Sequence, residues 1–215
     1  MPSGYYGYDP AAFVRDCQDA TAEDQRARKK DEFETTAEYQ ERLKQSGAQN
    51  PFTSKLYAFA AVPTNISYDA DNQTFKLDFE PPTASHNRTY VSLLLKQRAE
   101  DMGSYVAQNA FGATFTVGKS LVSTYELWLT KAEGVNECTV TVKADPAEAK
   151  TMKPRLRALV VVRPSRPFAS VTTTFSEPTF AEPHENMYET AAIYATSLEV
   201  RFYDQNTGSV LASCH

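Results

Sequence analysis

The sequence predicts an α+β protein: mainly antiparallel β, as a sandwich or strongly curved sheet, with an N-terminal helical arm and one short inserted helix. Two contrasts and one periodicity lead there. Residues 1–50 contain a single β-branched aliphatic side chain, Val14, whereas residues 51–215 contain sixteen Val or Ile. Charge runs the other way: 17 of the first 50 residues are Asp, Glu, Lys or Arg, against 32 of the remaining 165. β-branched residues suit a pleated, half-buried surface and are less at home in helices. Beyond residue 54 apolar residues recur with period two between Gly, Pro and Asn/Asp turn signals, the pattern of short antiparallel strands. The chain therefore divides at Asn50 into a helical arm, 1–50, and a β-rich domain, 51–215.

In the arm, Tyr5, Tyr6 and Tyr8 lie in a Gly-interrupted segment that is expected to dock on the body or stay mobile. Asp9-Pro10 offers an N-cap followed by proline at the first helical position. Phe13, Cys17 and Ala20 then share one helical face. Thr35-Thr36-Ala37-Glu38 fits a capping box, in which each of Thr35 and Glu38 satisfies the other's amide. A second helix over about 36–46 follows, with Tyr39 and Leu43 stacked at i,i+4 and Gly47 as a left-handed C-cap. Phe33, at the bend, is expected to anchor the arm on the β-body together with Tyr39 and Leu43.

In the body, strands are expected at Lys55–Val62, Asn65–Asp69 and Thr74–Phe79, the last two joined by the turn Ala70–Gln73. Further strands are expected at Thr89–Arg98, Phe111–Val117, Tyr125–Lys131, Cys138–Lys143 and Leu156–Val162. Met102, Tyr105, Val106 and Phe111 fit neither period. Asp145-Pro146-Ala147-Glu148 is a second capping box and predicts a helix over about 146–153. Four prolines mark 164–187 as loop or irregular edge, interrupted at Ser170–Phe175. A last hairpin joins Ala195–Tyr203 to Ser209–Leu211 through Asp204–Gly208.

At 215 residues, 41% of them hydrophobic, the chain is long enough to bury a core without metal or disulfide support. A net charge of −5 argues against nucleic acid, which requires clustered Lys and Arg. No apolar run approaches the length that spans a bilayer. Met1-Pro2-Ser3-Gly4 has neither the basic nor the apolar region of a signal peptide.

Motif chemistry is sparse. There is no G-x-S-x-G, no phosphate-binding glycine loop and no Cys/His zinc spacing, so no cofactor, metal or catalytic residue is assigned. His86, His184 and His215 fall in expected loops or at the terminus. Asp69–Gln73 alternates oxygen ligands but lacks the Gly and Glu of a calcium loop, and it is better read as turn residues bonding their own backbone. Asn65-Ile66-Ser67, Asn72-Gln73-Thr74 and Asn87-Arg88-Thr89 are glycosylation sequons. Of the three cysteines, Cys138 and Cys214 form a possible disulfide; Cys17 is able to replace either, and three unpaired thiols is the competing reading. Arg155, Arg157, Arg163 and Arg166 flank the apolar strand 156–162, as an anion or partner surface or, more simply, as gatekeepers against aggregation.

Glu32-Phe33-Glu34-Thr35-Thr36-Ala37-Glu38-Tyr39-Gln40-Glu41-Arg42 resembles an EFETTxEYxxR segment of uncharacterised bacterial envelope or exported proteins. Tyr105–Gly112 and Asp145–Arg157 also resemble parts of such proteins. The resemblance implies a periplasmic or secreted location and brings no catalytic residue with it. A cytoplasmic location is the alternative left open by the missing signal sequence. The expectation is a non-enzymatic binding or assembly module of the bacterial envelope with a protein or glycan partner. A hydrolase acting on envelope material and a small-ligand carrier are the alternatives.

Overall fold

Nine strands in two sheets and three α-helices make up the computed structural model, which describes residues 4, 6–48, 55–80, 90–109, 111–130 and 137–214. The arm forms α1 (Pro10–Arg28) and α2 (Thr36–Ala48). Asp9 starts α1, its carboxylate accepting from the amide of Ala12 at 3.2 Å. The Thr35–Glu38 capping box is present: the Thr35 amide donates to Glu38 Oε2 at 2.9 Å and the Glu38 amide to Thr35 Oγ1 at 3.3 Å.

The strands are β1 (Tyr57–Ala61), β2 (Asn65–Asp69), β3 (Thr74–Phe79), β4 (Tyr90–Gln108), β5 (Thr114–Thr130) and β6 (Cys138–Lys143). After the short helix α3 (Pro146–Met152) come β7 (Leu156–Ser176), β8 (His184–Asp204) and β9 (Val210–Cys214). Asp145 caps α3 by accepting from the amide of Glu148 at 2.9 Å. The larger sheet has the order β1-β7-β8-β5-β4, with β9 beside the C-terminal half of β8; the smaller has the order β2-β3-β6. All neighbours are antiparallel except β5 and β8, which run parallel from Gly118↔His184 to Leu129↔Ala195. This is the antiparallel-rich α+β architecture that the sequence predicts.

The core lies where one face of the larger sheet meets the smaller sheet and α1. Leu127, Ile193, Val160 and Phe202 pack there with Phe75, Leu77 and Phe79 of β3 and with Phe13 and Cys17 of α1. Phe13 is fully buried, and its ring meets those of Tyr57 and Phe59 edge-on at 4.8 and 5.2 Å. Burying such a ring stabilises the fold by roughly 2–3 kcal/mol relative to leaving it in water. The first helix is therefore part of the core, not an appendage. The segment before it is tied down too: Gly7 bridges Phe59, and the Tyr8 amide donates to Ala58 O at 2.7 Å.

Four strands run on past this core. The distal parts of β4, β5, β7 and β8 continue as a twisted wing, and neither α1 nor the smaller sheet contributes to the pairing there. Met102, Val106, Phe175 and Tyr188 are exposed on it.

The wing is where sequence and structure part. Thr89–Arg98 extends through residues 100–108 as one strand. The expected strands over 111–117 and 125–131 overlap the two ends of one strand, β5, which runs from Thr114 to Thr130. Most of the expected loop 164–187 is the distal half of β7 and the start of β8. The outer strands of the wing, β4 and distal β7, are exposed along most of their length and the inner ones, β5 and β8, are mostly half-buried, so period two fades on leaving the core. Pro164 and Pro167 are absorbed by a bulge between Pro164 and Ala169, where β7 gains residues against β8, while Pro178 and Pro183 lie in the connection between the two strands, as expected. Gly47 lies inside α2, which runs on to Ala48, and is not a C-cap. Tyr5 and the expected break at Asn50 lie outside the described residues.

Candidate functional site

The far end of the wing carries the most organised exposed surface among the described residues. The β4–β5 turn is pinned by Asn109, whose Oδ1 accepts from the amides of Phe111 and Ala113 at 3.0 and 2.9 Å. Gly112 supplies the φ of +86° this turn needs. The result is a tight turn that holds Phe111 outward, 96% exposed.

Behind the turn, the chain between β7 and β8 folds over β5. Phe180 stacks edge-on against Phe115, centroids 5.6 Å apart, while remaining largely exposed itself. The Gly118 amide donates to Pro183 O at 3.1 Å. A Cβ on Gly118 would lie 2.7 Å from two ring atoms of His184, so a side chain here would displace this exposed imidazole. Across three strands, the Tyr105 hydroxyl donates to Glu185 Oε2 at 3.0 Å, Lys119 Nζ lies 3.6 Å from Glu185 Oε1, and the same ammonium sits 4.8 Å from the Tyr105 ring centroid. The Glu185 carboxylate raises the Tyr105 hydroxyl above its ordinary range, because ionisation would place two anions in contact. Val117 is fully buried beneath this network. The surface is thus a braced polar frame with Phe111 and Phe180 projecting beside it, while Val106, opposite Thr116, is exposed on the other face of the sheet. It offers apolar contact area rather than a nucleophile paired with a base.

The predicted site residues are mostly elsewhere. Cys138 and Cys214 are disulfide-bonded, joining β6 of the smaller sheet to β9 of the larger. Cys17 is a buried free thiol whose pKa burial pushes up to about 12, which leaves it unreactive. The four arginines are not gathered. Arg155 donates to the buried carboxylate of Asp204 at 3.1 Å, and Arg157 donates to the carbonyls of Pro154 and Leu156 at 3.0 and 2.7 Å. Arg163 is exposed farther along β7, and Arg166 lies over the Phe168 ring at 5.7 Å. They brace β7 at two separate points and form no common anion surface.

Phe33 does not anchor the arm: it is 88% exposed. The bend is held instead by Arg42, whose guanidinium grips both oxygens of Glu34 at 2.8 Å and also donates to Lys29 O at 3.2 Å. That ion pair holds the Glu34 carboxyl below its usual range. Tyr39 and Leu43 are half-buried on α2, whose main packing partner among the described residues is α1.

Asp69 closes its turn as expected of a self-bonding Asx residue, accepting from the amides of Asp71 and Asn72 at 3.0 and 3.1 Å. No group of three or more His, Cys, Asp or Glu among the described residues is placed to hold a metal ion. His184 is exposed; His86, His215 and the sequon at Asn87 lie outside the described residues. The wing-end residues missed from the sequence, Lys119, Phe180 and Glu185, carried no local signal. The failure of Met102, Tyr105, Val106 and Phe111 to fit either period was the available hint.

Fold and surface together define a disulfide-linked, antiparallel-rich α+β protein with a projecting β-wing. No family model, curated protein or solved structure matches the chain. No helix among the described residues is long and apolar enough to cross a membrane.

Proposed function

We propose that this protein is a non-enzymatic binding module of the bacterial envelope that engages a protein partner through the end of its wing. One observation carries the reading: Phe111 and Phe180, 96 and 73% exposed, project from a hydrogen-bonded frame remote from the core. Clustered apolar exposure on a rigid mount is the usual mark of an interaction surface. The envelope assignment rests on the Cys138–Cys214 disulfide, which suits an oxidising compartment, and on the resemblance of the Glu32–Arg42 segment. Of a protein and a glycan partner, the apolar character of this surface favours protein.

The test is photo-crosslinking from position 113, exposed in the same turn, in cells, comparing the wild-type surface with a Phe111→Ser/Phe180→Ser variant that carries the same crosslinker. The expected result is a discrete protein adduct that the double substitution removes while the melting temperature is unchanged. No adduct, or turnover in a broad hydrolase screen, would sink the proposal. A small molecule co-purifying in native mass spectrometry would favour the carrier alternative instead.

A further inference from the structure

We propose that β4 pairs edge to edge with β4 of a second copy of this chain, antiparallel about a two-fold axis through Ala99. The inference is independent of the partner proposed for the wing end.

β4 is the last strand of the larger sheet, and its outer edge is unpaired among the described residues over a strand of 19 residues. An edge of that length is a ready template for another strand, and proteins ordinarily shorten or cover such edges. Two β-bulges interrupt its pairing with β5, between Leu94 and Lys96 and between Asp101 and Ser104. Between them, Lys96–Asp101 pairs with β5 without interruption, from Lys96↔Tyr125 to Asp101↔Ser120. The N-terminal segment reaches the proximal end of this stretch, where Lys96 Nζ lies 2.9 Å from Asp9 Oδ1. Beyond it no strand of the described residues lies on the edge.

Charge selects both the occupant and the register. In a regular strand the amides and carbonyls that point outward belong to alternate residues. Two copies of one strand therefore pair antiparallel only in registers centred on a residue, never between two. Three such centres lie within reach of the charged pair in this stretch. Centring on Arg98 sets Arg98 against Arg98 of the second copy, and centring on Glu100 sets Glu100 against Glu100. Centring on Ala99 sets each Arg98 opposite the other copy's Glu100. Arg98 and Glu100 already share one face, with Nε 3.0 Å from Oε1, and their side chains are 67 and 38% exposed. The two-fold would close them into an alternating square of two guanidinium and two carboxylate groups, each charge with opposite neighbours along and across the strands. Opposite charges directly across antiparallel strands stabilise the pair and like charges destabilise it. An edge designed only to repel other strands does better with one sign of charge than with a self-complementary pair. The interface is isologous and closes at two copies, so it yields a dimer rather than a fibre.

The test uses the full chain in analytical ultracentrifugation over a concentration series. The expected result is a reversible dimer that weakens as salt is raised. Arg98→Glu alone and Glu100→Arg alone should each weaken dimerisation roughly tenfold or more. The double variant Arg98→Glu/Glu100→Arg should restore it. The decisive sample is an equimolar mixture of the two single variants. Both have lost the Arg98–Glu100 pair within the strand. In a mixed dimer about Ala99, however, the carboxylate introduced at position 98 of one chain faces the guanidinium introduced at position 100 of the other. The unaltered Glu100 of the first chain likewise faces the unaltered Arg98 of the second. Heterodimers in that mixture support pairing through these two positions. A wild-type chain that stays monomeric, single variants that dimerise unchanged, or a mixture that stays monomeric would each overturn it. Both residues are exposed, and far-UV circular dichroism of each variant confirms that the fold is intact.

Discussion

Cys138 on β6 is bonded through its sulfur to Cys214 on β9, joining residues 76 apart in the chain. It is a covalent tie between the two sheets, since β6 closes the smaller one and β9 pairs with β8 in the larger. Cys138 is buried in the core and Cys214 packs against it.

Removing that tie should cost substantial stability. Closing a loop of this length restricts the unfolded chain by about 4 kcal/mol in the chain-entropy account. Cys138→Ala/Cys214→Ala is expected to lose about that much in urea unfolding, with the strand content of the native state retained. A loss under about 1 kcal/mol would show that the sheets hold together without it.

The two phenylalanines of the arm should behave in opposite ways. Phe13→Ala removes a fully buried ring from the contact between α1 and the sheets, and a loss of about 4 kcal/mol is expected. Phe33→Ala touches a ring that is almost wholly in water and should stay within about 0.5 kcal/mol of wild type. Equal effects at the two sites would contradict the packing described here.

Gly7 should resist any side chain. Its φ is +81°, and a Cβ there would sit 2.6 Å from the backbone nitrogen of Ala60. Gly7→Ala is expected to detach the Gly7–Phe59 bridge at a cost of about 2 kcal/mol. Faster amide exchange at Tyr8, whose amide donates to Ala58 O, would report the detachment, and unchanged exchange there would count against it.

The Tyr8 hydroxyl donates to Asp16 Oδ2 at 2.6 Å, and this hydrogen bond to a carboxylate, aided by burial, raises its pKa to about 12. A tyrosine in the unfolded chain titrates near 10. Because the folded value is the higher one, the stabilisation is fully present below pH ~10 and is lost as pH rises toward ~12. The stability difference between wild type and Tyr8→Phe should therefore be constant at neutral pH and shrink across that alkaline window. A difference that instead changes between pH 4 and 7 would assign the coupling to another group.

Legibility in the sequence followed burial. β2, β3 and β6 lie at their expected residues because they are short and bounded by turns, and in β3 Phe75 and Leu77 face the core while Lys76 is exposed. The capping boxes at Thr35 and Asp145 were readable because a cap is a contact between residues three apart. The bend in the arm was not. Phe33 looked like its anchor on apolarity alone, whereas Glu34 and Arg42, eight residues apart, hold it. The wing is less legible for the complementary reason: strands that are exposed or only half-buried are under weak pressure to alternate, and Pro164 and Pro167 in a bulge look like prolines in a loop.

By itself, then, the sequence determined the class of the fold, the starts of its helices and the short buried strands, because those depend on hydrogen bonds and side-chain alternation among near neighbours. Only the tertiary structure decided that α1 belongs to the core, that β5 runs parallel to β8, which thiols are joined, and that Tyr105, Lys119 and Glu185 meet at the wing end. Each of these brings together residues tens of positions apart, and their pairing is set by how whole sheets pack rather than by any local preference.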